Sequence, residues 1–209
     1  YVNTYGCNSL ATQTINVAAA VPFGCGNIVT DIRNNISYPT VQIGLQCWMA
    51  SNLNYGNTLS SATMQRDNCT TEKYCFNDQP GNCATYGGMY QWDELMRYDN
   101  TAAPQGVCLP GWHIPSETEW KTLFNFYFGR GFAGDPLKST GFSGFNSTLD
   151  GAGFKNVNWN FLNFALFYWS STAHGNFKAL AQGMNNLVPS VSLYPSARNN
   201  AFYIRCLKD

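Results

Sequence analysis

The stretch Cys108-Leu109-Pro110-Gly111-Trp112-His113-Ile114-Pro115-Ser116-Glu117-Thr118-Glu119-Trp120 constrains the fold of this chain most, because it fixes where a helix begins. Pro110 and Gly111 make a turn, and Pro115, which cannot donate a backbone hydrogen bond, is tolerated at a helix entrance. Ser116 and Glu119 have the spacing of a capping box, in which the hydroxyl accepts an amide proton and the carboxylate reaches back. Trp120, Leu123, Phe124, Tyr127 and Phe128 then recur along one apolar face. A helix is predicted over 116–128, stopped by Gly129 and Gly131. At the other end of the chain, Phe202-Tyr203-Ile204-Arg205-Cys206-Leu207-Lys208-Asp209 reads as a final strand. Each of these two segments carries one cysteine.

A length of 209 residues suits one domain with a tail. Only 11% of residues are charged, the formal net charge is +0 and no basic patch is visible, so no nucleic-acid partner is expected. Aromatic residues make up 15%, beside abundant Asn, Ser, Thr and Gly. That balance fits secreted, loop-rich binding proteins better than cytosolic enzymes, where charge averages about 25%.

Eight cysteines are present: Cys7, Cys25, Cys47, Cys69, Cys75, Cys83, Cys108 and Cys206. Their number is even, no pair has C-x-x-C spacing and only two histidines exist, so disulfides are expected and no metal or cofactor. Disulfides imply an extracellular or cell-surface location. Spacing alone leaves on the order of a hundred pairings open. No run of about 18 apolar residues occurs, so no membrane span is expected. Residues 1–20 lack the basic start and apolar core of a signal peptide, which implies a removed export signal or a piece of a longer polypeptide.

Along the chain, residues 1–22 read as a strand-forming tail, or the remnant of an immunoglobulin-like repeat, followed by the linker Ala18-Ala19-Ala20-Val21-Pro22. This tail has too few partners for an independent sheet, so residues 1–17 could pair with a missing domain or a neighbouring copy. Residues 27–48 read as a hairpin with its second strand broken at Gly44, and residues 49–86 as irregular. A helix is predicted over 90–98 and strands over 164–171, 178–184, 188–194 and 201–207. That order implies α+β with segregated elements.

Together, several strings resemble those of the Fibrobacter succinogenes major paralogous domain family. They are Gln42-Ile43-Gly44 with Gln46-Cys47-Trp48-Met49-Ala50-Ser51-Asn52-Leu53-Asn54; Tyr86-Gly87-Gly88-Met89-Tyr90-Gln91-Trp92; Gly106-Val107-Cys108-Leu109-Pro110-Gly111-Trp112-His113-Ile114-Pro115; Tyr168-Trp169-Ser170-Ser171-Thr172; and Ile204-Arg205-Cys206-Leu207-Lys208-Asp209. The family is similar to lectin-like domains of the formylglycine-generating-enzyme type. The resemblance implies a C-type-lectin-like α+β domain at 23–209, disulfide-stapled, with two main helices and a small antiparallel sheet. It also implies a bridge from Cys108 to Cys206, as lectin-like domains close their loop. Cys75 with Cys83 forms a short staple in this reading, which leaves Cys47 with Cys69 and Cys7 with Cys25.

The functional expectation is a secreted or cell-surface bacterial binding or adhesion module without enzymatic activity. The alternative is a structural subunit of an extracellular fibre or surface layer, assembled through the N-terminal strand. His113 reads as a core histidine, and His174 lacks a nucleophile elbow nearby. The calcium-binding strings of C-type lectins are missing. A ligand face is expected from Trp169, His174, Asn176, Asn185, Asn186, Tyr194, Arg198 and Asn199, because rings stack and amides both donate and accept. Its partner would be a glycan or a surface protein. Against this, Trp169 reads more as core than as ligand contact, and the asparagines equally as turn residues.

Overall fold

The structure of the protein, a computed structural model, describes residues 23–99, 105–154 and 158–209. The expected tail at 1–22, with Cys7 and the pairing of residues 1–17, lies outside the described residues. The first hairpin joins β1 (Val29–Asp31) to β2 (Ile36–Tyr38), with Asn35 at φ 59 in its turn. A second joins β3 (Thr40–Ile43) to β4 (Gln46–Met49). The break expected at Gly44 is therefore a hairpin turn, which its φ of 59 permits.

The segment read as irregular holds β5 (Asn57–Leu59), β6 (Glu72–Tyr74) and a helix α1 (Pro80–Tyr86), with β5 and β6 paired in parallel. Helix α2 (Trp92–Leu95) is one turn, shorter than predicted, because Arg97 and Tyr98 take left-handed backbone at φ 53 and 56. After β7 (Trp112–His113) comes α3 (Glu117–Phe126), entered through the predicted capping box. Ser116 Oγ accepts from the Glu119 amide at 3.3 Å, and Glu119 Oε2 accepts from the Ser116 amide at 2.7 Å. A short α4 (Gly134–Leu137) follows.

The rest is β: β8 (Asp150–Phe154), β9 (Asn158–Leu162), β10 (Ala165–His174), β11 (Lys178–Asn185), β12 (Ser192–Ala197) and β13 (Leu207–Lys208). Strands β12-β11-β10-β8-β9 form a five-stranded sheet, and β3-β4-β13-β7 a four-stranded one. Residues 201–203, expected within the last strand, instead make single bridges from Ala201 to Gly153, Phe202 to Tyr90 and Tyr203 to Tyr168.

These findings correct the expected fold. The described chain is mostly β, with 36% strand and 16% helix, and its larger sheet is a curled five-stranded one. It is not the C-type-lectin-like α+β domain with two main helices and a small sheet. Two local choices account for the difference. The predicted helix over 90–98 shrinks to a single turn, and β8 and β9, which lie outside the predicted strands, widen the sheet.

Among the described residues three bridges are seen: Cys25–Cys47, Cys75–Cys83 and Cys108–Cys206. The last two match the expectation. Cys47 pairs with Cys25, not Cys69, because β4 runs beside the loop preceding β1, where Thr40 Oγ1 accepts from the Gly26 amide. Both leftover pairs, Cys47 with Cys69 and Cys7 with Cys25, are thereby overturned. Cys69 is itself disulfide-bonded.

Trp48, Trp92, Trp112, Trp120 and Trp169 are all fully buried. Trp120 reaches from α3 into the space between the sheets, 4.7 Å from Trp48 and 5.5 Å from Tyr168. Each such aromatic pair adds about 0.5–1.5 kcal/mol beyond simple burial.

Candidate ligand-binding face

The register of the larger sheet decides which side chains stand together. Trp169, Ala181 and Tyr194 are direct neighbours across β10, β11 and β12, and so are Phe167, Gly183 and Ser192. In antiparallel pairs, directly opposite residues share a face. Across β8 and β9, Phe154 is opposite Asn158 and Ala152 opposite Asn160.

These positions carry a strip of phenylalanines ending in a tyrosine. Phe161 lies 5.7 Å from Phe154 and 6.3 Å from Phe167, and Phe167 lies 5.3 Å from Tyr194. Phe164 flanks Phe161 at 6.0 Å. Underneath, Phe202 backs the strip, 5.1 Å from Phe167 and 5.3 Å from Phe154. Three rings remain open to solvent: Phe161 at 44%, Tyr194 at 42% and Phe164 at 38%. Gly183 makes the closure over β11 possible, since a Cβ there would stand 2.6 Å from the Tyr194 ring and 2.9 Å from that of Phe167.

The residues expected to form a ligand face separate into four groups. Tyr194 is part of the strip. At one end of β11, Asn185 accepts from the amides of Leu187 and Val188, and Asn186 bonds the backbone at Phe164 and Asn163. At the other end lie His174 and Asn176, both exposed, with Arg198 donating to the Gly175 carbonyl. Arg198 is also held by Asp93 at 3.1 Å and stands over the Trp92 ring, and the Asn199 carbonyl accepts from Gln91. The two ends are separated by the length of β11, at about 3.3 Å per residue. Trp169 is core: its indole N–H donates to the Tyr90 carbonyl at 2.8 Å, and its ring lies 4.5 Å from Phe202.

Phe154, Phe161, Phe164 and Phe167 were not singled out by the sequence. Phe167 sits in a segment predicted as a strand, but its neighbours on the face come from β8 and β9, which were not recognised as strands.

Elsewhere, a cavity of about 270 Å³ has Asn52 and Arg205 in its lining, with Ser37, Ser51, Thr85 and Thr148 around it. Arg205 is buried and its charge is committed inward. It donates to the Asn52 side chain and to the carbonyls of Met49, Phe145 and Asn146. His113 is bracketed by two carboxylates, with Nε2 2.9 Å from Glu119 and Nδ1 2.7 Å from Asp209. The Glu119 hydrogen bond raises its pKa above the ordinary 6.5, burial opposes this, and the Asp209 bond adds to the rise. His113 thus ties the chain end to the cap of α3. Among the described residues no three His, Cys, Asp or Glu side chains gather in a way that could hold a metal, and no helix is long and apolar enough to cross a membrane.

The class so defined is a disulfide-stapled, mostly β domain that presents an aromatic strip on its larger sheet. The chain belongs to the Fibrobacter succinogenes major domain family, which matches it over residues 41–208. Comparison with curated proteins found no match, and comparison with solved structures found none.

Proposed function

We propose that this domain is a non-enzymatic binding or adhesion module, secreted or displayed at the bacterial cell surface, that takes a glycan or a surface protein on the aromatic strip of its larger sheet. The observation that carries this reading is the exposure of Phe161, Phe164 and Tyr194 along one run of ring contacts joined through Phe167. Exposed apolar side chains scattered singly need no explanation, whereas a contiguous patch marks an interaction site. Disulfides and sparse charge support a location outside the cell. The two histidines give little support to catalysis, since His113 braces the cap of α3 and His174 stands at an exposed hairpin end.

The test is to screen the folded domain against a glycan array and against bacterial surface proteins, then repeat every hit with Phe161→Ala. Loss of the hits in that variant supports the strip as the binding face. Hits that survive it unchanged reject the strip.

A further inference from the structure

We infer that the ligand of this face is an uncharged carbohydrate chain, laid across the strands with sugar rings on Phe161 and Tyr194. The inference rests on the strip being the binding face. Its first support is geometry. Phe161 and Tyr194 flank Phe167 by steps of 6.3 and 5.3 Å, so two open rings stand at the ends of a run about as long as a short oligosaccharide. The C–H faces of pyranose rings carry partial positive charge, which matches the negative face of an aromatic ring.

The second support is the polar surround. Asn158 and Asn160 on β9 and Ser192 on β12 share the strip's face by register. Amides and hydroxyls both donate and accept, as a sugar hydroxyl requires of its partner. Charge supplies the third. Across all five strands the charged residues are Asp150, which is buried, and Lys178, at the far end of β11. An anionic glycan would lack a countercharge on these strands, and a protein partner would lack the arginines that interfaces favour. Rigidity is the fourth. Phe167 is stacked on Phe202, and Gly183 leaves the Phe167 and Tyr194 rings in contact, so little freedom is lost on binding.

The experiment is calorimetric titration of the domain with neutral oligosaccharides of glucose, xylose and mannose of increasing length, and with oligogalacturonides of matched length, at low and high salt. The expected result is binding to a neutral chain that strengthens with length up to the span of the strip and does not respond to salt. Phe161→Ala and Tyr194→Ala should each weaken it by about tenfold, more than truncating most contact residues costs. Gly183→Val, which keeps every ring but forces two of them apart, should weaken it too, and thermal unfolding confirms that each variant is folded. Salt-sensitive preference for the oligogalacturonides, or no binding of any neutral chain, overturns the carbohydrate assignment. If an oligogalacturonide or a surface protein binds and is lost in Phe161→Ala, the strip stands and only its ligand class falls. If bound ligands are indifferent to both ring variants, the strip itself is rejected.

Discussion

Arg205 donates from Nε to the side-chain oxygen of Asn52 at 2.7 Å, and both residues are buried. Asn52 Oδ1 also accepts from the Tyr168 hydroxyl, while its Nδ2 donates to the Tyr86 carbonyl and to Asp150. One pair of side chains therefore joins the segment after β4, the end of α1, the larger sheet and the segment before β13. Arg205→Met would take the guanidinium donor from the carbonyls of Met49, Phe145 and Asn146 and leave Asn52 Oδ1 only the Tyr168 hydroxyl. Leaving a buried acceptor unsatisfied costs about 1–3 kcal/mol, and several are affected at once, so this variant should lose at least about 3 kcal/mol in chemical denaturation.

The Cys108–Cys206 bridge spans 98 residues and links the segment before α3 to the segment before β13. In the chain-entropy account a loop of this size stabilises by about 4.7 kcal/mol. Replacing both cysteines by serine should lower stability by about that amount under non-reducing conditions. Peptide mapping without reductant should recover Cys25 with Cys47, Cys75 with Cys83 and Cys108 with Cys206.

The His113 cluster predicts a pH window. Burial works to raise the Glu119 carboxyl, but the His113 and Ser116 hydrogen bonds outweigh it and hold the group at about 2, below its ordinary 4.5. Its stabilisation is present above 4.5 and is lost as pH falls through about 2. The His113 pKa is raised, so its stabilisation is full below 6.5 and is lost as pH climbs through the folded value. Both act together between those limits. His113→Ala should lower the melting temperature most near pH 5.5 and progressively less as pH rises above 6.5, as followed by circular dichroism.

Glu94 predicts a slope opposite to that of Glu119. Burial, aided by the charges of Glu72 and Asp67, lifts its pKa to about 7, while the hydrogen bond from the Glu72 amide works the other way. The folded state then holds the proton more tightly than the unfolded chain. Stability falls as pH rises from 4.5 and levels off above about 7. Glu94→Gln keeps an acceptor for the Glu72 amide and has no charge to bury. This variant should be more stable than the parent at pH 8, with the gain vanishing near pH 4 in denaturant titrations.

How much of this was legible in the sequence depends on how local the cause was. The start of α3 was readable because Pro115, Ser116 and Glu119 act within one turn. Strands β10 and β11 were readable because their apolar runs are bounded by turn residues. Helix α2 was overestimated because the left-handed backbone at Arg97 and Tyr98 has no glycine or proline to announce it. Strand β8 was missed because two of its five residues are glycine, which weakens any strand signal. The aromatic strip was half visible. Tyr194 stood out as an aromatic among polar residues, but its partners come from β8, β9 and β10. Only the sheet order β12-β11-β10-β8-β9 brings them together. The pairing of Cys25 with Cys47 depends on the same kind of long-range register.

The most direct test of the central claim is a map of backbone and side-chain chemical shifts during titration with the tightest ligand found. The largest changes should fall on Phe154, Phe161, Phe164, Phe167 and Tyr194, with Asn158, Asn160 and Ser192 beside them. Changes centred on the cavity at Asn52 and Arg205, or on His174 and Asn176 at the far end of β11, would contradict it.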